Sequence, residues 1–346
     1  MKTALKLSKL TALILLASSS AHTFANTDGK ATIDFNLRYE GVDQNNALKD
    51  ASALTLRTRL NYTTSTYEGF SGVVEFEDSR QVAGINDYND AVGNNGQYSV
   101  IADPETTELD QAFVQYKQGM FTAKVGRQVI ALDGQRYVGH VGWRQDRQTF
   151  DAATLNVDAA KDLKVSYSYI NKRNRIFAEE KDIDSKDHLF NLSYKTAIGK
   201  ITGYSYLLEE NQSVATAIDT YGVRLTGSAG GEIKFSYSAE YAAQQKSDDN
   251  NADFDTEYLL LEGGITVSEI SVKLGYEVLG SDDSQYGFST PLATLHKFNG
   301  WSDQFLNTPK EGLVDVYASL SGKLLGGGWT IAYHDFSADE GTSLSD

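Results

Sequence analysis

Between Val125 and Asp151 the chain reads VGRQVIALDGQRYVGHVGWRQDRQTFD, bringing Arg127, Arg136, Arg144 and Arg147 into one short stretch. A guanidinium stays charged at any physiological pH and offers a planar fork of donors matched to carboxylates and phosphates. Residues of this kind at this density suit the holding or passing of an anion, and Lys172, Arg173 and Arg175 add to them a little further on. The alternative is that each arginine is neutralised by an acidic neighbour.

Other chemistry has less to build on. With no cysteine anywhere, the chain offers neither a thiol nucleophile nor a thiolate metal site. Beyond the first 25 residues the only histidines are His140, His188, His296 and His334, and none sits in a serine or acid motif. Asp249, Asn251, Asp253 and Asp255 have a calcium-like spacing but lack the turn glycine and the distal glutamate of an EF-hand loop, so a solvated loop is expected. No glycine-rich phosphate loop leads from a strand into a helix. The chain is expected to bind no cofactor or metal and to catalyse no reaction.

The elements that would position the arginines follow from the rest of the sequence. Lys2, Lys6 and Lys9 precede a short apolar run and Thr23-Phe24-Ala25, the pattern of a secretory signal cleaved near Ala25; residues 26–346 are then the mature chain. That mature chain sets 28 Lys and Arg against 47 Asp and Glu, a net of −19, which argues against nucleic acid as a partner. Twenty tyrosines, thirty glycines and only three prolines suit strands and tight turns.

Period-two alternation recurs throughout. Leu163, Val165, Tyr167 and Tyr169 share one face with Lys164, Ser166 and Ser168 opposite; Ile270, Val272, Leu274, Tyr276 and Val278 alternate with Ser271, Lys273, Gly275 and Glu277. About fifteen such strands can be marked, centred near residues 36, 58, 74, 112, 125, 154, 167, 191, 204, 223, 236, 260, 274, 318 and 332. Links after the even-numbered strands are short, such as QGM and AIGK. Links after the odd-numbered ones are long and polar: 41–52, 79–106, 130–149, 172–186, 209–217, 243–253 and 281–311. A sandwich has no reason to sort its loops this way, whereas a transmembrane barrel has short turns at one rim and long loops at the other. In hydrocarbon, strands can span only as a closed barrel, and one of about sixteen strands keeps its inner face wet. Tyr39, Tyr62, Tyr116, Tyr169, Tyr194, Tyr241 and Tyr276 lie near strand ends on the apolar parity, as interfacial girdles would. The expected fold is an all-β, antiparallel up-and-down transmembrane barrel. Its odd strand count and its ending in TSLSD suggest that one or more C-terminal closing strands are missing.

The segments VGRQVIALDGQRYVGHVGWRQDRQTFDAATL and TPLATLHKFNGWSDQFLNTPKEGLVDVY resemble the alginate-export family of outer-membrane porin-like barrels, and the similarity runs through most of the mature chain. The resemblance implies an eighteen-stranded barrel in the outer membrane, in contact with lipid and lipopolysaccharide. It also implies, from the family's alginate exporter, an arginine-lined pore for an anionic polyuronate.

Strand parity adds an independent reading of the lumen. It turns Arg57, Arg59, Lys124 and Arg224 inward, together with Asp34, Glu40, Glu75, Glu240 and Glu277, so the lumen is mixed in sign and departs from a strongly electropositive export pore. The loop from Ile130 to Thr149 contains Gly134, Gly139 and Gly142 and is expected to fold inward as a constriction presenting Arg136, Arg144 and Arg147, with Arg127 at its root and Arg173 and Arg175 nearby. Trp301, in the aromatic-rich loop from Ser281 to Gly312, is a candidate to stack on a sugar ring; packing within a plug is the other use of those aromatics. The expected function is diffusion of small hydrophilic, anionic solutes, acidic oligosaccharides among them. A closed-lumen adhesion barrel acting through its outer loops is the alternative.

Overall fold

The computed structural model describes residues 17–26, 29–211, 213–247 and 253–344. Residues 1–16, with the basic start and apolar run of the expected signal, lie outside that range, as do Asp249 and Asn251. The strands are β1 (Ala17–Asn26), β2 (Gly29–Val42), β3 (Ala51–Thr64), β4 (Phe70–Asp87), β5 (Thr106–Gln118), β6 (Phe121–Gln128), β7 (Thr149–Ala160), β8 (Leu163–Asn174), β9 (Ile183–Thr196), β10 (Gly199–Glu210), β11 (Ser213–Gly230), β12 (Ile233–Lys246), β13 (Asp255–Val267), β14 (Ile270–Leu279), the two-residue β15 (Ser281–Asp282) and β16 (Tyr286–Gly287), β17 (Leu313–Leu324) and β18 (Gly327–Ser337). Sixteen of them form one antiparallel sheet in chain order, with β1 and β18 as its edges, and β15 pairs with β16 as a small separate hairpin.

All fifteen strands anticipated from alternation are present. The additional one, β1, pairs along β2 through residues assigned above to the signal, and cleavage after Ala25 would remove all of it but Asn26. Alternation works because one face meets hydrocarbon and the other meets the lumen. The outward parity carries exposed Leu60, Val125, Leu274, Ile331 and Tyr333, along with Tyr62, Tyr169, Tyr194, Tyr241 and Tyr276 of the expected girdles. On the inward parity of β3, Thr55, Arg57 and Arg59 are buried in the barrel.

Six of the seven long links hold: residues 43–50, 88–105, 129–148, 175–182, 247–254 and 280–312, here called L1, L2, L3, L4, L6 and L7. The fifth does not. The ladder between β10 and β11 continues as far as Glu210 opposite Ser213, so the polar stretch 209–217 is mostly strand. Polar residues at that point misled because they lie on a strand that extends past the apolar band.

L3 and L7 turn inward and fill part of the lumen. A dry cluster joins Ile130, Tyr137 and Val138 of L3 with Phe288 and Leu292 of L7 and with inward wall residues such as Ile170, Leu189, Tyr206 and Tyr258. The two loops are zipped by a parallel bridge between Val138 and Leu292, by Gly139 N–H donating to the Leu292 carbonyl at 2.8 Å, and by Thr294 N–H donating to that of Gln135 at 3.0 Å. Gln148 ties both strands of the zip, its amide donating to the carbonyls of Gly139 and Leu292 at 2.9 and 3.2 Å.

Candidate functional site

L3 follows directly on β6, and near the end of that strand Gly126 has φ of +122° and a Cβ there would stand 2.2 Å from the Ala112 carbonyl oxygen, so only glycine fits. The loop then makes a single 3₁₀ turn at Asp133–Gln135. That turn is pinned to the wall by Arg224, which donates to the Asp133 carbonyl, by Asn191 on the Asp133 carboxylate, and by Lys200 Nζ at 3.2 Å from the same carboxylate.

Beyond the turn the loop arginines separate into different roles. Arg136 lies with Nε 2.8 Å from Glu277 Oε1 on β14 and donates through Nη2 to Asn299 Oδ1 of L7 at 3.2 Å. The Nε–H does not point at the carboxylate and has no aligned acceptor, although the side chain is 4 % exposed. Asn299 in turn donates to Glu277 Oε2 at 2.9 Å and to Asp315 Oδ2 at 3.2 Å, and Tyr258 Oη donates to Glu277 Oε1 at 2.6 Å. A kink sets Asn299 in place, with φ of +53° at Asn299 and +79° at Gly300.

Arg144 and Arg147 are held by carboxylates. Arg144 Nη1 is 2.9 Å from Glu40 and its Nη2 3.5 Å from Asp303, while its guanidinium lies 4.0 Å from the Trp143 ring centroid. On the same indole lie Arg38, at 4.3 Å, and the stacked ring of His296. Arg147 is clasped by Glu75 and by Asp110, the latter at 2.6 Å. All three loop arginines are expected from the sequence to present themselves to solute; Arg144 and Arg147 are each paired with carboxylates of the wall or of L7, and Arg136 lines two cavities.

The remaining expected residues also divide. Arg57 and Arg59 face inward as read, but Arg57 pairs with Asp34 at 2.7 Å and Arg59 with Glu77 and with Asp110 at 3.5 Å. Lys124 faces inward over the Phe113 ring at 4.9 Å, and Arg224 lines the lumen within 3.4 Å of Glu240. Arg127 does not face the pore. It shares the outward parity of Val125, which is 63 % exposed, and its Nε and Nη2 meet the two oxygens of Asp151 at 2.7 and 3.2 Å. Arg173 is locked between Asp187 and Glu210, both at 2.7 Å. Arg175 has no carboxylate within ion-pair distance among the described residues. Burial, with the nearby charge of Arg173, lowers its pKa.

Two cavities meet at Arg136. The inner one, about 340 Å³, runs along β11 to β18 toward the short turns, and its charged lining is mixed: Asp133, Glu240, Glu262, Glu277 and Asp315 face Arg136, Arg224, Lys273 and Lys297, with His334 beside them. Trp301 is 57 % exposed at its edge, whereas Tyr286, Phe298 and Phe305 of the same loop pack on Phe254, Arg136 and Phe336. The outer cavity, about 410 Å³, opens among L4 and L7; its charged lining is Arg136, Arg175 and Lys310, with no carboxylate among the described residues. Arg136 and Asn299 line both and form the septum between them.

The histidines fall into structural pairings. His140 Nδ1 meets Gln135 Oε1 at 2.8 Å, His296 meets Asp303 at 2.7 Å, and His334 meets both oxygens of Asp315 at 3.0 Å. Of the calcium-spaced residues within the described range, Asp253 pairs with Lys246 at 3.3 Å, and the Asp255 N–H donates to Asp282. Sequence reasoning missed Arg38, Lys273, Asn299 and Lys310. Strand parity was signal enough for Arg38 and Lys273, and Asn299-Gly300 is a turn dipeptide, but nothing local marks Asn299 as half of a septum.

The fold matches known porins along nearly its whole length. OccAB4 of Acinetobacter baumannii superposes with a TM-score of 0.70 at 15% identity, covering 92% of this chain and 85% of that one. OccAB3 of the same organism gives 0.64 at 11%, covering 92% and 95%. OpdK of Pseudomonas aeruginosa, in its structure with vanillate, gives 0.68 at 10%, covering 90% and 85%. No protein of curated function matches the chain in sequence. The family model for alginate export matches residues 26–288, and with that span, which includes L3 and the wall that holds it, the chain belongs to the alginate-export family of porin-type β-barrels.

Proposed function

We propose that this protein is a passive channel of the bacterial outer membrane, reached after Sec-type export, that admits small hydrophilic solutes carrying a carboxylate. The observation that carries the reading is the position of Arg136: on an inward-folded loop, bordering both cavities, with one N–H lacking an aligned acceptor. A guanidinium at a narrowing takes an anion bidentately and passes it on when the next site is comparable in strength. Arg224, Lys273 and Lys297 continue the line within the inner cavity. Vanillate, the small molecule in the OpdK structure, is itself a compact aromatic carboxylate. The inner carboxylates keep the selectivity moderate, since they compete for the same cations.

Planar-bilayer recordings with unequal salt on the two sides test this. Wild type is expected to favour anions modestly, and Arg136→Gln to lower the anion-to-cation permeability ratio at least twofold; an unchanged reversal potential removes Arg136 from selectivity. The exposed indole of Trp301 supports acidic oligosaccharides as one solute class, and Trp301→Ala should weaken their block of the current. The dry cluster of L3, L7 and the wall favours a second reading, a barrel with a sealed lumen that binds partners through its loops. Absence of any conductance would select it.

A further inference from the structure

The charge of the lining changes across the septum. Above it the outer cavity holds Arg136, Arg175 and Lys310 and, among the described residues, no carboxylate; below it the inner cavity sets five carboxylates against four cations. The nearest acids to Arg175 are already engaged, Glu210 by Arg173 at 2.7 Å and Asp182 by Lys172 at 3.0 Å. Lys310 is 56 % exposed and reaches Glu311 only at 4.0 Å. Leu279, Pro291, Phe305 and Leu306 supply an apolar wall beside these cations. Such a chamber fits a compact molecule with one carboxylate and one apolar or ring face.

At the septum, Arg136 divides itself between Glu277 below and Asn299 alongside, and its Nε–H is poorly used. Glu277 would keep two donors, Tyr258 Oη at 2.6 Å and Asn299 Nδ2 at 2.9 Å, if Arg136 swung away. We propose that the outer cavity is a carboxylate-binding antechamber whose occupant draws Arg136 off Glu277 and Asn299, so that the solute itself unlatches the passage to the inner cavity. The idea rests on the channel reading above and adds a site and a gate to it. The physical requirement is that the carboxylate bind the unlatched form more tightly, because a ligand shifts an equilibrium only by its ratio of affinities for the two states. That condition is met when a third cation turns toward it.

The test uses the full chain in planar bilayers at constant chloride, with benzoate as the probe and benzyl alcohol as its uncharged counterpart. Benzoate added on the loop side should raise the open probability of wild type severalfold, with no effect from benzyl alcohol or from benzoate on the turn side. Arg175→Gln with Lys310→Gln should abolish the response, while Lys164→Gln, 74 % exposed at a short turn, should retain it. Glu277→Gln should be open without benzoate, and Asn299→Ala, which removes the other half of the septum and leaves no carboxylate unpaired, should behave likewise. A conducting wild type that ignores benzoate, or responds equally from both sides, overturns the gate and leaves the channel reading standing. If wild type, Glu277→Gln and Asn299→Ala all fail to conduct, the channel reading falls and the gate with it.

Discussion

The indole of Trp143 lies flat on the imidazole of His296, ring centroids 3.4 Å apart and planes 13° from parallel. That contact joins the tip of L3 to L7, and the flanking guanidiniums of Arg38 and Arg144 make it a stack of aromatic and cationic planes. An aromatic pair of this kind is worth about 0.5–1.5 kcal/mol beyond area burial, and a buried cation over a ring adds on the order of 1–2 kcal/mol.

Trp143→Ala should therefore free the loops without unfolding the wall, whose ladders it does not touch. Limited proteolysis within L3 is expected to speed up on the order of tenfold, while the heat-modifiable band of the folded barrel on a gel stays where it was. Unchanged proteolysis would mean that the zip between Val138 and Leu292 holds L3 unaided.

Arg147 is a different case, since Glu75 and Asp110 share one guanidinium. Breaking a buried pair by removing one partner costs about 3–5 kcal/mol, because the charge left behind has lost its compensation. Arg147→Gln should lower stability by that order in urea unfolding from detergent. Adding Glu75→Gln should recover part of the loss, and a double variant no more stable than the single would contradict the pairing.

Asp146 of L3 has its carboxyl pushed well above the ordinary range, first by burial and then by the neighbouring charges of Glu108 and Glu77. The folded loop therefore holds a proton that the unfolded chain has lost. Its contribution to stability is complete below the unfolded value near 4 and is lost as pH rises through the folded value. His140 acts oppositely, since burial and the charges of Arg147 and Arg59 lower its pKa: its contribution is present above about 6.5 and lost as pH falls through the folded value. Asp146→Asn keeps an acceptor for the Ala178 N–H, at 3.3 Å in the wild type, and should remove the loss of L3 protection at rising pH, read by hydrogen exchange of L3 amides. Equal slopes in both proteins would place the titration elsewhere.

Gly126→Ala forces a Cβ into the Ala112 carbonyl at a φ that side chains avoid. Backbone strain of this sort costs on the order of 1–3 kcal/mol, and the displaced strand end would carry L3 with it. A lower unfolding midpoint together with altered conductance is expected; a change in neither would show that β6 relaxes freely.

The wall was legible because a barrel strand meets two solvents, so Leu60 and Arg59 next to each other already declare which face is which. The same rule, applied to Arg127 and Val125, points Arg127 outward; the concentration of arginines obscured it. L3 could be expected to fold inward from its length and glycines, but the partners of its arginines could not be read. Arg147 meets Asp110 from 37 residues away and Arg136 meets Asn299 from 163, and no local spacing encodes such pairings. The extended hairpin of β10 and β11 was missed for a related reason, since polar residues look the same in a loop and in a strand that outruns the membrane.

The zip between L3 and L7 also bears on how the molecule is assembled. Gln148 reaches a carbonyl 144 residues later in the chain, and closing so long a loop has to wait until the intervening strands have found their places. The wall from β7 to β14 must thus be paired while its interior is still hollow and wet. The plug would then be the last piece set, filling a lumen that the wall alone leaves open.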